Sequence, residues 1–376
     1  MEHEAEFYEA AEGGRVVCRL CPHGCRLAEG ERGKCRSRVC RGGRLVAENY
    51  GRVCALQIDP VEKKPLLHFH PGGSCLSLAA AGCNLSCLNC QNWDISQAST
   101  ADVPYRQLGA ADVARLAETN GCRMVAYTYT EPLTWLEYTR DCAVACRERG
   151  LKNILVTAGY VNARPLAGLL PYVDAANVDL KSFSDDIYRS VSGVRLAPVL
   201  HTLKSMLDAG VWIEITNLLI PGVNDDMDMI ARMCRWLVDN GFADCPLHFS
   251  RFFPQYKMQG SMSVLAVTPM GVKDAGESFV PTPLPLLVEA RRVAISQGMR
   301  HVYLGNVSLP GAEDTLCPRC CSVLIRRTGY DVDLGNLTAS ALSAAARLPV
   351  CGDASALVCV KGRIRVKRNK TRCIGV

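Results

Sequence analysis

Residues 75–90 read CLSLAAAGCNLSCLNC, a short apolar run followed at once by three cysteines. The run CLSLAAAG (75–82) has the length and composition of a buried β-strand that ends in small residues. Cys83, Cys87 and Cys90 follow it at the spacing C-x3-C-x2-C, without a fourth cysteine in the loop. Since closed zinc sites and ordinary iron–sulfur clusters take four protein ligands, this stretch predicts a metal site with one open position.

Two kinds of metal site fit these three cysteines. Three thiolates can hold three irons of a [4Fe–4S] cluster and leave the fourth iron open for a small chelating ligand. A zinc knuckle would instead be completed by Cys75 or by a distant histidine. The position of the loop favours the open site, because barrel enzymes collect their catalytic groups at the carboxyl ends of their strands.

From residue 75 to about 310, strand-like runs alternate with helical patterns. After 75–82 the predicted strands are MVAYTYT (124–130), NILVTAGYV (153–161), AANVDLKSF (175–183), VWIEITNLLI (211–220), PLHFSRFF (246–253) and HVYLGNV (301–307). Amphipathic patterns predict helices at 133–149 and 226–239. This alternation predicts an α/β fold with a parallel sheet. Because no G-x-G-x-x-G follows the first strand, a partial or full (β/α) barrel is favoured over a dinucleotide-binding sheet.

The chain of 376 residues fits one barrel-sized domain with small appendages. We expect a Cys-rich amino-terminal segment at 1–74, a core barrel at 75–312, and a zinc-ribbon-like segment with a basic tail at 313–376. Residues 260–280 fit no strand or helix pattern and are expected to form an insertion loop.

Charge and composition narrow the function classes. The net charge is +6, and the stretch from Lys361 to Arg372 carries seven Lys or Arg and no acid, so DNA binding is not expected. No apolar run is long enough to span a membrane. The start, MEHEAEFYEAAEGG, lacks a signal-peptide core, so we expect a cytoplasmic protein. In a reducing compartment, 21 clustered cysteines indicate metal binding more than disulfides.

A second group of cysteines lies near the amino terminus. Cys18, Cys21, Cys25 and Cys35 have the short spacing C-x2-C-x3-C-x9-C. Both a closed four-thiolate zinc site and an auxiliary iron–sulfur cluster fit this set. A second cluster could relay electrons, whereas zinc would only fasten the segment to the barrel.

The motifs, taken in order, resemble the radical S-adenosylmethionine (SAM) superfamily, whose signature is a C-x3-C-x2-C loop after the first strand of a barrel. Within it the chain is similar to the AmmeMemoRadiSam-system enzymes, relatives of the pyruvate formate-lyase activating enzymes. The stretches that carry the resemblance are DPVEKKPLLHFHPGG (59–73), GCNLSCLNCQNWDIS (82–96), YTYTEP (127–132), NVDLKSF (177–183), LLIPGVND (218–225), HFSRFFP (248–254) and HVYLGNV (301–307).

The resemblance implies a specific chemistry. SAM chelates the open iron of the [4Fe–4S] cluster, and the reduced cluster cleaves it to methionine and a 5′-deoxyadenosyl radical that abstracts hydrogen from a substrate. The implied partners are a reductant protein of the flavodoxin or ferredoxin type and, from the subfamily, Memo-like and AMME-chromosomal-region-like proteins. The resemblance leaves the substrate open among a glycyl-radical protein, a small metabolite and RNA.

The resemblance also implies site residues. Glu131 would accept hydrogen bonds from the SAM ammonium, and Asp179 and Lys181, on one face of a strand, would contact SAM. His248 would be a further SAM contact. The superfamily usually carries an aromatic residue just before the third cysteine, where this chain has Asn89, so no adenine contact is assigned.

The carboxy-terminal cysteines form a weaker pattern. LCPRCC (316–321) is typical of half a zinc ribbon, but the second half, RLPVCGD (347–353), has Leu348 where the similar proteins have a cysteine. Cys317, Cys320 and Cys351 remain in pattern. Either another cysteine completes a zinc site or metal binding has been lost.

A rival hypothesis comes from a different functional class. The protein could be a non-catalytic zinc or iron–sulfur scaffold that binds partners. In such a scaffold a fourth protein ligand would complete the metal site at residues 83–90, and Glu131, Asp179 and Lys181 would have no role there.

Overall fold

A computed structural model of the chain describes residues 2–259, 278–316, 322–334 and 372–373. Most of the expected insertion loop at 260–280 therefore lies outside the described residues, as do Cys317, Cys320 and Cys351.

The centre of the protein is a ten-stranded sheet in which seven consecutive strands are parallel. The parallel strands are β7 (Ser74–Ala80), β9 (Met124–Tyr127), β10 (Lys152–Thr157), β11 (Ala175–Asp179), β12 (Trp212–Leu219), β13 (Leu247–Arg251) and β14 (Val302–Gly305). They lie side by side in chain order, which is the arrangement of a (β/α) barrel. All seven predicted strands are thus confirmed.

Three short or antiparallel strands complete the sheet on the β7 side. They are β6 (Arg52–Pro60), β8 (Arg106–Gln107) and β18 (Arg372–Cys373). β6 pairs with β7 from Val53 opposite Ala80 to Pro60 opposite Ser74. Within the described residues β14 pairs only with β13, so the barrel is partial.

Helices cover the outside of the sheet. They are α1 (Trp93–Ser96), α2 (Ala110–Thr119), α3 (Leu136–Glu148), α4 (Ala163–Leu169), α5 (Asp185–Ile187), α6 (Leu196–Asp208), α7 (Met227–Asp239) and α8 (Leu284–Ser296). α3 and α7 confirm the two helices predicted from amphipathic patterns. Asp226 is the N-cap of α7, and its side chain accepts a hydrogen bond from Asp228 N at 2.8 Å. No helix among the described residues has the length and apolar character needed to cross a membrane.

A segment after β6 fills one end of the barrel. Pro65 O accepts a hydrogen bond from Asn177 in β11 at 2.8 Å. Leu67 N and His68 N donate to the Glu214 carboxylate in β12 at 2.9 and 2.8 Å. The His68 ring contacts Tyr303 in β14. Since one short segment contacts strands across the sheet, the sheet must curve around it, and its interior is closed at the amino ends of the strands.

The amino-terminal part forms two small sheets of its own. They contain β1 (Tyr8–Ala11), β2 (Arg15–Cys18), β3 (Arg26–Leu27), β4 (Arg38–Arg41) and β5 (Arg44–Ala47). A third small sheet holds β15 (Thr315–Leu316), β16 (Val323–Thr328) and β17 (Asp331–Asp333). The expected division at residues 74 and 75 separates two paired strands, β6 and β7, so the core sheet begins earlier in the chain than expected, at residue 52.

A buried ion pair fastens the amino-terminal sheets to the barrel. Arg38 in β4 donates to the Glu137 carboxylate in α3, and the two side chains are 1% and 0% exposed. Glu137 also accepts a hydrogen bond from Glu6 N at 3.0 Å. Loss of either charge would leave the other buried without its partner, which typically costs about 3–5 kcal/mol.

Candidate active site

A cavity of about 560 Å³ opens at the carboxyl ends of the parallel strands. Its volume is within the range of sites that enclose a small-molecule cofactor. Loop residues after β7, β9, β10, β11 and β12 line it, as expected for a barrel enzyme.

Cys83, Cys87 and Cys90 all line this cavity, are partly exposed and form no disulfide. The cysteine loop is tied to a π-helical turn at Tyr188–Ser192 by Ser86 N donating to Ser192 O at 2.9 Å and Leu88 N donating to Val191 O at 3.0 Å. Three soft thiol donors on one cavity wall, beside open space, fit an iron–sulfur cluster with a ligand on its fourth iron.

Gly82 lets the cysteine loop approach the amino-terminal segment closely. Its φ is +99°, and a Cβ at this position would lie 2.3 Å from the carbonyl oxygen of Cys35. Only glycine fits such a backbone and such a contact. The start of the loop is therefore positioned by the amino-terminal segment as well as by β7.

Glu131 is buried at the cavity wall after β9. Its carboxylate accepts hydrogen bonds from Thr157 Oγ1 at 2.6 Å, Ala158 N at 2.7 Å and Leu133 N at 3.1 Å. All three donors are neutral, and burial raises the pKa of the carboxyl to about 7. A cationic group in the cavity would favour the ionised form of Glu131.

Asp179 and Lys181 also line the cavity and form an ion pair, with Lys181 Nζ 2.8 Å from Asp179 Oδ2. Burial alone would lower the pKa of Lys181, but Asp179 holds it above its usual value. Tyr188 OH accepts a hydrogen bond from Lys181 N at 3.0 Å, which anchors the lysine to the π-helical turn. The structure therefore brings Glu131, Asp179 and Lys181 to one cavity with the three cysteines.

His248 lies outside the residues that line the cavity. It is buried in β13, and its Nε2 lies 2.8 Å from the Glu214 carboxylate. Ser250, two residues further on the same strand face, does line the cavity. The structure therefore does not bring His248 to the cavity wall, and its expected contact with SAM stays a prediction.

We expect His248→Phe to act on stability rather than on the site. The change removes one donor from the buried Glu214 carboxylate, and a hydrogen bond to a charged group is worth about 1.5–3 kcal/mol. Denaturant unfolding should show a loss of about 2 kcal/mol, while the exposed control His201→Ala should be neutral. A large change in SAM affinity without loss of stability would instead indicate that His248 contacts SAM.

Sequence reasoning did not assign Lys63, Lys64 and Tyr129, which the structure places on the cavity wall. The signal was present, since all three lie in stretches that carry the family resemblance. Their roles depend on Asp59, which both lysines and the Tyr129 hydroxyl contact. No spacing rule connects Tyr129 to Asp59, which is 70 residues away in the chain.

Asn89 lines the cavity, whereas Trp93 is 47% exposed and stacks on Tyr256 with 5.1 Å between ring centroids. The stacked pair joins the end of the cysteine loop to the segment after β13. The structure does not bring the Trp93 ring to the cavity wall.

The amino-terminal cysteines lie beside the cysteine loop. His23 Nε2 lies 2.8 Å from Asn84 O, and Arg36 Nη1 donates to Cys83 O at 3.4 Å. A Cβ atom on Gly33 would lie 3.6 Å from the sulfur of Cys25 and 3.7 Å from that of Cys35, so both sulfurs lie beside Gly33. In the part of the chain that the structure describes, no three His, Cys, Asp or Glu side chains, those of the cysteine loop included, are arranged to hold a single metal ion. A cluster differs from a single ion because each of its irons takes its own thiolate.

A family model for the radical SAM superfamily matches residues 78–234. An uncharacterized protein of Methanocaldococcus jannaschii is 39% identical over 350 residues, which cover 93% of this chain and 98% of the relative. Pyruvate formate-lyase 1-activating enzyme of Escherichia coli K12 is 27% identical over 165 residues, 43% of this chain and 67% of that enzyme.

Among solved structures, Streptococcus suis SuiB bound to S-adenosylmethionine aligns over 65% of this chain and 52% of its own, with a TM-score of 0.42 and 15% identity. The matched residues begin within β7 and end within α7. They include the three cysteines of the loop as well as Glu131, Asp179 and Lys181. The cluster and SAM cleavage are implied by the family. On this agreement of sequence and site, the chain belongs to the radical SAM superfamily and is related to the pyruvate formate-lyase activating enzymes.

Proposed function

We propose that this protein cleaves SAM reductively and uses the resulting radical to abstract hydrogen from a substrate. The observation that carries the proposal is that Cys83, Cys87 and Cys90 share one cavity with Glu131 and the Asp179–Lys181 pair. When bound, the cluster and SAM would supply one-electron cleavage of the sulfonium carbon–sulfur bond, with release of methionine.

The chain's own residues would bind and orient the amino-acid part of SAM. Glu131 would accept hydrogen bonds from the ammonium, because its present donors are neutral and its charge is not balanced by them. Lys181 would pair with the carboxylate while Asp179 keeps it protonated. The cysteine loop, held on the π-helical turn, would fix the cluster against this wall.

The proposal extends to the subfamily and its partners. The similarity to AmmeMemoRadiSam-system enzymes favours Memo-like and AMME-chromosomal-region-like proteins as functional partners and a flavodoxin- or ferredoxin-type protein as electron donor. The kinship with glycyl-radical-enzyme activases favours a protein backbone as one class of hydrogen donor, since an activating enzyme is among the relatives.

Isotope transfer would test hydrogen abstraction. The reconstituted enzyme is incubated with SAM, dithionite and each candidate partner protein produced with deuterated amino acids. Deuterium in 5′-deoxyadenosine, absent with undeuterated partner, identifies the donor by mass spectrometry. If no candidate transfers deuterium although 5′-deoxyadenosine forms, the activase-type role is contradicted.

We further propose a metal centre at Cys18, Cys21, Cys25 and Cys35. Arg38 supports it: the guanidinium is buried, interacts electrostatically with Cys18 and Cys35, and its Nη1 has no hydrogen-bond partner among the described residues. Burial raises the pKa of the Cys18 thiol to about 11, and the Arg38 cation acts in the opposite direction by favouring the thiolate form that binds metal.

Metal analysis of a variant with Cys83, Cys87 and Cys90 all changed to serine tests this centre. Residual iron and sulfide would indicate an auxiliary cluster, and residual zinc a closed four-thiolate site. Further change of Cys21 to serine should remove that metal. If the triple variant already lacks both metals while it remains folded, the amino-terminal centre does not exist.

A further inference from the structure

The cavity has a second end, far from the cysteines. Asp59 pairs with Cys75 near the start of β7, whereas the cysteine loop follows the end of that strand at Ala80. Five residues of strand separate these levels by roughly 16 Å, at about 3.3 Å per residue. Lys63 and Lys64 follow Asp59 in the chain and line the cavity, so they form its floor.

The floor carries an excess of positive charge. Lys64 Nζ lies 2.6 Å from Asp59 Oδ2, and Lys63 Nζ lies 2.9 Å from Asp59 Oδ1. Two ammonium groups therefore share one carboxylate. Asp59 is fully buried and is not among the residues that line the cavity, whereas both lysines are. The acids that do line it, Glu131 and Asp179, belong to the wall at the carboxyl ends of the strands.

The two lysines differ in exposure. The Lys64 side chain is 1% exposed and lies over the ring of Tyr129, with Nζ 4.8 Å from the ring centroid. The Lys63 side chain is 36% exposed. Tyr330, from the turn between β16 and β17, lines the same cavity and is 56% exposed. The floor at Lys63 is therefore near the protein surface. The Lys63 ammonium, although paired with Asp59, is accessible to a ligand.

Tyr129 is held in a strained backbone conformation to complete this floor. Its φ is +65°, which non-glycine residues rarely adopt. Its hydroxyl donates to Asp59, and its carbonyl accepts a hydrogen bond from Asn92 Nδ2 at 2.9 Å. Strained residues of this kind persist where the surroundings fix them and are concentrated at functional sites. Here this backbone conformation places the ring beside the Lys64 ammonium.

We propose that Lys63, supported by Lys64 and Tyr129, binds an anionic group of the hydrogen-donating substrate, a carboxylate or a phosphate. This inference rests on the proposed function, since it names the substrate class of the same cavity. A substrate anchored at the floor would extend toward the cysteine end, where the radical forms. Compact ammonium groups are suited to both anions.

Anion binding to the reconstituted enzyme tests the inference. Saturating SAM is present throughout, so that Lys181 is already engaged. Inorganic phosphate and acetate are titrated separately at constant ionic strength with chloride, and binding is followed by the shift in thermal unfolding. For Lys63→Gln we expect the dissociation constant of the preferred anion to rise roughly 10-fold, which corresponds to the loss of one partly solvated charge-assisted hydrogen bond.

Two variants keep the test specific. Lys63→Arg retains the charge and should keep most of the affinity. The control Lys204→Gln, at an exposed lysine that donates to Asn240 Oδ1 at 3.1 Å, should leave binding and SAM cleavage unchanged. Tighter binding of phosphate than acetate would assign a phosphorylated substrate, and the reverse a carboxylate. Equal anion affinity in wild type and Lys63→Gln, or equal losses in Lys63→Gln and Lys204→Gln, would overturn the inference.

The same samples separate this inference from the proposed function. Cleavage of SAM by wild-type enzyme is measured without added anion. If wild type cleaves SAM but Lys63→Gln binds the anions as tightly as wild type does, the proposed anion site is wrong and the assignment as a radical SAM enzyme is unaffected. If the wild type does not cleave SAM at all, the proposed function has failed, whatever the anions do.

Discussion

Changing Cys87 to serine should abolish cluster binding and reduce SAM cleavage to background. Cys87 lies on the cavity wall, between the other two cysteines in the sequence of the loop, and its thiol donates a hydrogen bond to the Ser192 hydroxyl at 3.5 Å. A cluster held by three protein thiolates has no spare protein ligand in this loop. The expected measurements are loss of loop-bound iron and sulfide and of the cluster's visible absorption after anaerobic reconstitution.

Cys245→Ala is the matched control, because Cys245 is also a partly exposed free cysteine but lies on the chain just before β13. It should bind the cluster and cleave SAM like wild type. If Cys87→Ser retains a full cluster and cleaves SAM, the loop does not hold the catalytic iron. Metal at the amino-terminal cysteines must be counted separately, with the triple serine variant as reference.

Glu131→Gln should weaken SAM binding roughly 10- to 100-fold while the cluster is retained. The change preserves shape but removes the charge that would meet the SAM ammonium, and a hydrogen bond to a charged group is worth about 1.5–3 kcal/mol. Equilibrium binding of SAM to the reconstituted enzyme measures the effect. Glu118→Gln, at an exposed ion pair with Arg149, should bind SAM normally.

The pH dependence gives Glu131 a second signature. Burial raises the pKa of the carboxyl from 4.5 to about 7, so SAM-free protein holds a proton there that the unfolded chain releases. The contribution to stability is greatest below pH 4.5 and is lost as the pH rises through about 7. In Glu131→Gln, the free energy of unfolding should not show this loss as the pH rises through about 7. Because the SAM ammonium favours the carboxylate form of Glu131, wild type should bind SAM more weakly below pH 7. A wild-type profile unchanged in Glu131→Gln would contradict the assignment.

The strands were predictable because each is a short, mostly apolar run bounded by turn residues, and parallel strands buried on both faces have that pattern. The three cysteines were predictable from their spacing directly after such a strand, whereas Glu131, Asp179 and Lys181 were expected from the family resemblance. The chain order of the strands then brought them to the same end of the barrel.

The burial of His248 away from the cavity wall was not predictable, because strand periodicity gives the face of a residue but not its depth. His248 and Ser250 share a face of β13, yet only Ser250 reaches the cavity. The depth is set by residues 65–68, which enter the barrel and hydrogen-bond to Glu214. Such a contact spans nearly 150 residues of chain and leaves no periodic signal.

The residues of the cavity floor could not be predicted from the sequence for a related reason. Lys63 and Lys64 follow β6, which lies in the Cys-rich segment 1–74, where no strand is predicted from the sequence. Its antiparallel pairing with β7 turns Asp59 and both lysines toward the barrel interior. Tyr129 then reaches them only through a positive φ, which no propensity predicts for tyrosine.

The most direct measurement is the amount of 5′-deoxyadenosine formed when the anaerobically reconstituted protein is mixed with dithionite and SAM. We expect 5′-deoxyadenosine and methionine in equal amounts from wild type and neither from Cys87→Ser. A colourless wild-type protein that carries only zinc after anaerobic preparation, and that leaves SAM intact, would contradict radical SAM chemistry at this site.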